Sequence, residues 1–114
     1  MAVTGEILIG ADCPTFEGAT ARVELQDVSR ADAASRRLAV ARLAGVTHRA
    51  GEETRVPFEL QGHPANPHAS YALRVHVVRH PGEEVEVGDL VSTEHVAVTP
   101  ERTQGHQVRV RPVG

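Results

Sequence analysis

Hydrophobic residues along this chain fall in short alternating runs, separated by clusters of Pro, Gly, Asp and Asn, a pattern that predicts strands. In ATARVELQDVS, Ala21, Val23 and Leu25 point one way and Arg22, Glu24 and Gln26 the other. TRVPFEL sets Val56, Phe58 and Leu60 inward and Pro57 outward. An outward proline suits an edge strand or a bulge, because it cannot donate to a ladder. SYALRVHVVRH puts Tyr71, Leu73, Val75 and Val77 on one face, and Ala72, Arg74, His76, Val78 and His80 on the other, outer one. The turn dipeptide Pro81-Gly82 ends it. QVRVRPV closes the chain with Val108 and Val110 in and Arg109 and Arg111 out. Near the start, Val3, Ile7 and Ile9 share parity while Leu8 breaks it, so the second face of that strand is expected to be partly covered. DLVSTEHVAVTP reads as one more β-rich run, and QGHPANPH as a loop.

One stretch is ambiguous. RADAASRRLAVARLA (30–44) has the alanine, leucine and arginine content of a helix, and Ala39, Leu43 and Val46 would align at helical spacing. LAVARLAGV also fits a strand, with Gly45 and Gly51 marking turns around it. With about seven strands at short spacing, the pattern predicts an all-β fold, an antiparallel β-sandwich occupying residues 1–114 as a single domain.

Composition supports this reading. Aromatic residues make up only 3% of the 114 residues, so the core must be aliphatic, and its many valines suit a pleated sheet. A formal net charge of −3 does not suggest a nucleic-acid binder, which would show a basic excess or stripe. The single cysteine, Cys13, excludes an internal disulfide. No apolar run reaches transmembrane length, so membrane insertion by this chain is not expected. MAVTGEILIGADCPT has no basic leader region, and Asp12 precedes Cys13 where a lipid-attachment cysteine needs a small residue. As it stands the chain reads as cytoplasmic. The alternative is the cell envelope, if the sequence is a mature domain trimmed of its leader.

The sharpest chemical question concerns HPANPHASYALRVHVVRHPGEEVE, which holds His63, His68, His76 and His80, four of the seven histidines. On a helix, His76 and His80 would share a face one turn apart and could share a zinc ion. On a strand they also share a face, but their Cα atoms lie about 13 Å apart at roughly 3.3 Å per residue. Strict alternation from Tyr71 to Val78 favours the strand and disfavours chelation. His63 and His68 flank a Pro-rich turn and read as loop histidines. No helical H-E-x-x-H motif or glycine-rich phosphate loop is present, and Glu83, Glu84 and Glu86 read as a solvated hairpin. No metal and no cofactor is expected, and no catalytic residue is assigned.

Two stretches resemble a known family. VELQDVSRADAASRRLA (23–39) resembles the V-x-L-x-D-x-S-x-x-D-A segment of the YbaY/YscW family of small bacterial envelope lipoproteins. VPFEL (56–60) followed by SYALRVHVV (70–78) resembles its P-x-P-F-x-L … Y-x-L-x-A-x-I pattern, and DLVSTEHVAVT (89–99) its closing N-D-x-x-x-x-V-L-T segment. The resemblance implies a compact β-sandwich of prealbumin- or immunoglobulin-like type, with Leu38 to Leu43 as a strand after a loop. YscW-type members are pilotins, which bind the C-terminal segment of an outer-membrane secretin; none is an established enzyme.

These readings converge on a non-enzymatic, chaperone-like domain that binds a protein or peptide. Strand addition at an exposed edge is the natural mode, along TRVPFEL or the last strand. Asp27, Ser29 and Asp32 form an oxygen-rich segment that could contact a cation or peptide, or could simply fix a strand exit. Arg74 and His76 are the candidate binding residues on the outer face. The competing function classes are a histidine-based metal-binding protein and a β-sandwich with a small-molecule pocket.

Overall fold

The computed structural model describes residues 2–29, 36–62, 64, 66, 68–79 and 88–113. Among them there are eight strands and no helix: β1 (Ala2–Ile9), β2 (Phe16–Asp27), β3 (Arg36–His48), β4 (Thr54–Gln61), β5 (Tyr71–Val78), β6 (Leu90–Ser92), β7 (Val96–Val98) and β8 (His106–Pro112). From Arg36 on, the ambiguous run is therefore a strand, extending past the expected Leu38 to Leu43 at both ends. Its helical propensity gives way to a ladder against β2, where Val23↔Ala41 and Leu25↔Ala39 pair on the core face. Tertiary pairing overrides a weak local preference.

The eight strands form one sheet in the order β3-β2-β5-β6-β8-β1-β4, with β7 continuing beside β5. Most pairs are antiparallel, but β1 and β8 run parallel, with Gly5 opposite His106 and Ile9 opposite Val110. This corrects the expected seven-stranded antiparallel sandwich. The sheet is mixed and curls into a nearly closed barrel, and no second sheet of immunoglobulin type faces it. Periodicity along a strand reports which face is buried, not which strand lies alongside. The curl brings the two end strands together: a Cβ built on Gly62, just past β4, would lie 3.0 Å from the Cβ of Ala39 on β3. No ladder joins β3 to β4. β4 is thus an edge strand, as its proline implied. The last strand is not an edge, because β8 is held between β6 and β1.

The core is aliphatic. Val3, Ile7, Ile9, Val23, Leu25, Leu60, Leu73, Val77, Leu90, Val98 and Val108 are almost wholly buried. The predicted inward faces of β2, β4, β5 and β8 all contribute to it, although Val56 is only half-buried.

Three register shifts mark the long β2–β3 ribbon: one between Leu25↔Ala39 and Gln26↔Arg37 at its far end, and two glycine-bearing bulges. Between the pairs Phe16↔His48 and Ala19↔Val46 there is one extra residue on β2; between Ala19↔Val46 and Ala21↔Leu43 there is one extra on β3. Each bulge contains a left-handed glycine, Gly18 with φ 68° and Gly45 with φ 72°.

Candidate functional site

Two features on the outside of the barrel can bind something. The first grows from β5. Its inward residues behave as the alternation predicts, but its outward ones do not. Ala72, His76 and Val78 are buried as well, and only Arg74 is exposed. His76, expected on the open surface, is 5% exposed, which corrects its placement. The cover comes from elsewhere in the chain. Asp89, just before β6, is 1% exposed and meets the ring from one side, and Arg22, its direct neighbour on β2, meets it from the other.

The geometry fixes the ring. Arg22 Nη2 lies 3.3 Å from His76 Nδ1. A guanidinium only donates, so Nδ1 accepts and the ring hydrogen sits on Nε2. That N–H donates to Asp89 Oδ2 at 3.0 Å. Asp89 Oδ1 in turn accepts from the backbone N–H of Arg79 at 3.2 Å. On β2, Glu24 forms an ion pair with Arg22, Nε to Oε2 at 3.0 Å, and accepts from Gln26 Nε2 at 2.8 Å and from Arg37 Nη1 at 3.5 Å.

Beside this network the sheet is interrupted. β5 pairs with β6 at His76↔Val91 and with β7 at Leu73↔Val96. The opposing chain therefore carries two extra residues between those pairs, and Arg74 and Val75 have no strand partner on that side. Ser92 Oγ instead accepts the Val75 N–H at 3.0 Å. The gap forms an open pocket of about 380 Å³, lined by Arg22, Glu24, Arg74, His76 and Ser92 among others.

The second feature is the seam between β3 and β4. It holds a groove of about 640 Å³ with Leu43, Val46 and Val56 in its walls and Arg42 and Arg55 at its rim. Arg55 is paired to Glu53 at 3.0 Å.

The oxygen-rich segment is not brought to either place. Asp27 Oδ1 accepts from Ser29 N at 2.9 Å and from Ser29 Oγ at 2.6 Å, and Ser29 Oγ accepts from Ser70 N at 2.8 Å. These bonds tie the exit of β2 to the entrance of β5. Asp32 lies outside the described residues, as do His63, His80, Glu83, Glu84 and Glu86. His68 and His95 are exposed. Among the described residues, no three His, Cys, Asp or Glu side chains converge to hold a metal ion.

Sequence reasoning missed two more buried histidines. His48 Nδ1 shares a hydrogen bond with Thr54 Oγ1 at 2.7 Å, and its ring centroid lies 5.8 Å from that of Phe16. His106 Nε2 donates to the Arg102 carbonyl at 3.0 Å. His106 shares parity with the inward Val108 and Val110, which was the available signal; His48 likewise shares parity with the buried Val46. Cys13 is buried, and burial, reinforced by the neighbouring Asp12 carboxylate, raises its thiol above the ordinary range.

A small all-β domain with a nearly closed mixed sheet and polar, non-convergent surface chemistry is the class these features define. The sequence matches the model of the type III secretion system lipoprotein chaperone (YscW) family over residues 1–110, and the chain belongs to that family. No curated protein matches it. Among solved structures, it is similar to an alternative pilotin from the type II secretion system of Vibrio cholerae, with a TM-score of 0.74 and 22% sequence identity. The match covers 100% of this chain and 97% of that one, and it shows a shared fold.

Proposed function

We propose that this protein is a non-enzymatic, pilotin-like chaperone that holds a segment of a secretin, by strand addition at the β3–β4 seam. The family supports a protein partner of that kind. The observation that carries the mode of binding is the pair of edge strands that face each other with no ladder between them. Each edge offers backbone donors and acceptors to an incoming strand, and the half-buried Leu43 and Val56 offer an apolar floor for its alternate side chains. Membership of a lipoprotein-chaperone family favours the envelope over the cytoplasm as the place of action.

The test is titration calorimetry with the C-terminal segment of the secretin from the source organism, paired with hydrogen exchange. Binding with new protection of β3 and β4 amides is expected. Failure of that segment to bind would sink the secretin reading; binding that protects amides elsewhere would sink the seam.

A further inference from the structure

The pocket beside β5 contains a cation with no internal partner. Arg74 is exposed and makes no hydrogen bond or ion pair among the described residues. Glu24 stands directly across the ladder from it, the position from which an opposite charge normally pairs. Yet the Glu24 carboxylate is already occupied by Arg22, Gln26 and Arg37. Among the described residues that line the pocket, the two cations Arg22 and Arg74 stand against one carboxylate, Glu24, on a chain of net charge −3. The local balance is positive where the whole is negative.

The pocket is also pre-organised. His76 bridges Asp89 and Arg22, so the Arg22 guanidinium is held from behind by a buried ring. Ser92 Oγ spends a lone pair on the Val75 N–H and keeps its own O–H to donate. Arg74 and Ser92 therefore both present donors to one opening, and no acceptor among the described residues takes them. A carboxylate matches that pair in charge and as an acceptor.

We infer that this pocket takes the side-chain carboxylate of an extended acidic peptide, with Arg74 as the principal contact and Ser92 as the second donor. The pocket is open along the sheet surface, where β5 lacks a neighbour at Arg74 and Val75. A chain can lie along such an opening; a small free anion would keep most of its surface in water. The pocket involves β2, β5 and β6, not the β3–β4 seam, so it does not rest on the function proposed above.

Nuclear magnetic resonance titration at low salt tests it, following the Arg74 side-chain Nε–H and the Ser92 amide. The probes are the blocked peptide acetyl-Gly-Ser-Glu-Ser-Gly-amide, its glutamine counterpart, and sodium acetate. The acidic peptide is expected to give saturating shifts at both groups, at least tenfold tighter than either control. Arg74→Gln is expected to weaken it at least tenfold with an unchanged melting temperature, because Arg74 holds no hydrogen bond or ion pair among the described residues. Equal binding of the glutamine peptide, or full binding by the Arg74→Gln protein, overturns the proposal. Acetate binding as tightly as the peptide makes this a small-anion site and overturns the peptide assignment.

Discussion

Burying His76 requires a partner at each ring nitrogen, and Arg22 and Asp89 supply them. Removing the ring leaves the Asp89 carboxylate enclosed with one donor fewer, and breaking a buried pair from one side is strongly destabilising. His76→Leu is therefore expected to cost about 3 kcal/mol, measured by urea unfolding, although leucine is the more hydrophobic residue. A loss below about 1 kcal/mol, the range of an exposed pair, would contradict the buried network. Cys13 makes a second prediction. Its folded-state thiol titrates above the unfolded one, because burial and the Asp12 charge disfavour the thiolate. The folded chain therefore holds that proton more tightly. The stability this confers is intact below the ordinary thiol range and is lost as pH rises through it. Native protein should react slowly with a thiol reagent at neutral pH and rapidly in denaturant; Cys13→Ser should flatten the alkaline fall in stability. His76 also marks a limit of sequence reading. Its outward parity is real, but its cover comes from Asp89, thirteen positions away, beyond the reach of any local pattern.

At the scale of elements, two glycines act for different reasons. Gly5 sits where β1 crosses close to β8: an added Cβ would collide with the His106 carbonyl and come within 2.9 Å of the Phe58 ring. Gly5→Ala should destabilise by about 2 kcal/mol, as overpacking a filled interior does. Gly45 has nothing within 4 Å of its would-be Cβ but a φ of 72°. Gly45→Ala should lose about 1 kcal/mol from the left-handed backbone alone. Thermal unfolding of both variants separates the two causes: restoring space by trimming Phe58 to Leu should rescue part of the first and none of the second. The strands themselves were largely legible. Alternation placed β2, β4, β5 and β8 and their inward residues, and Pro57 marked β4 as an edge. The division of DLVSTEHVAVT into β6 and β7 was not legible, since its valines continue on both sides of Ser92 to His95 and only pairing with β5 reveals the two-residue slip. That slip creates the pocket. Arg74 was readable as an outward cation, while its lack of a partner depended on Glu24 being taken by others.

For the whole molecule, the seam is the longest break in a hydrogen-bonded wall that is also interrupted beside Arg74 and Val75. In free protein, amides along the seam side of β3 and β4 should exchange at least tenfold faster than those of Gly5 to Ile9 on β1, which is paired with both β4 and β8. Uniform protection around the barrel would mean that the wall is closed. The parallel pairing of β1 with β8 was the least predictable feature, because it joins the two ends of the sequence. Its consequence lies in time. β1 has its place between β4 and β8, and β8 is made after all the other strands described. Until His106–Pro112 emerge, β1 and β6 each have one neighbour, so a nascent or truncated chain carries bare strand edges. The sheet becomes whole only once β8 has been made, and a carrier that must keep it unfolded can engage it at any point before then.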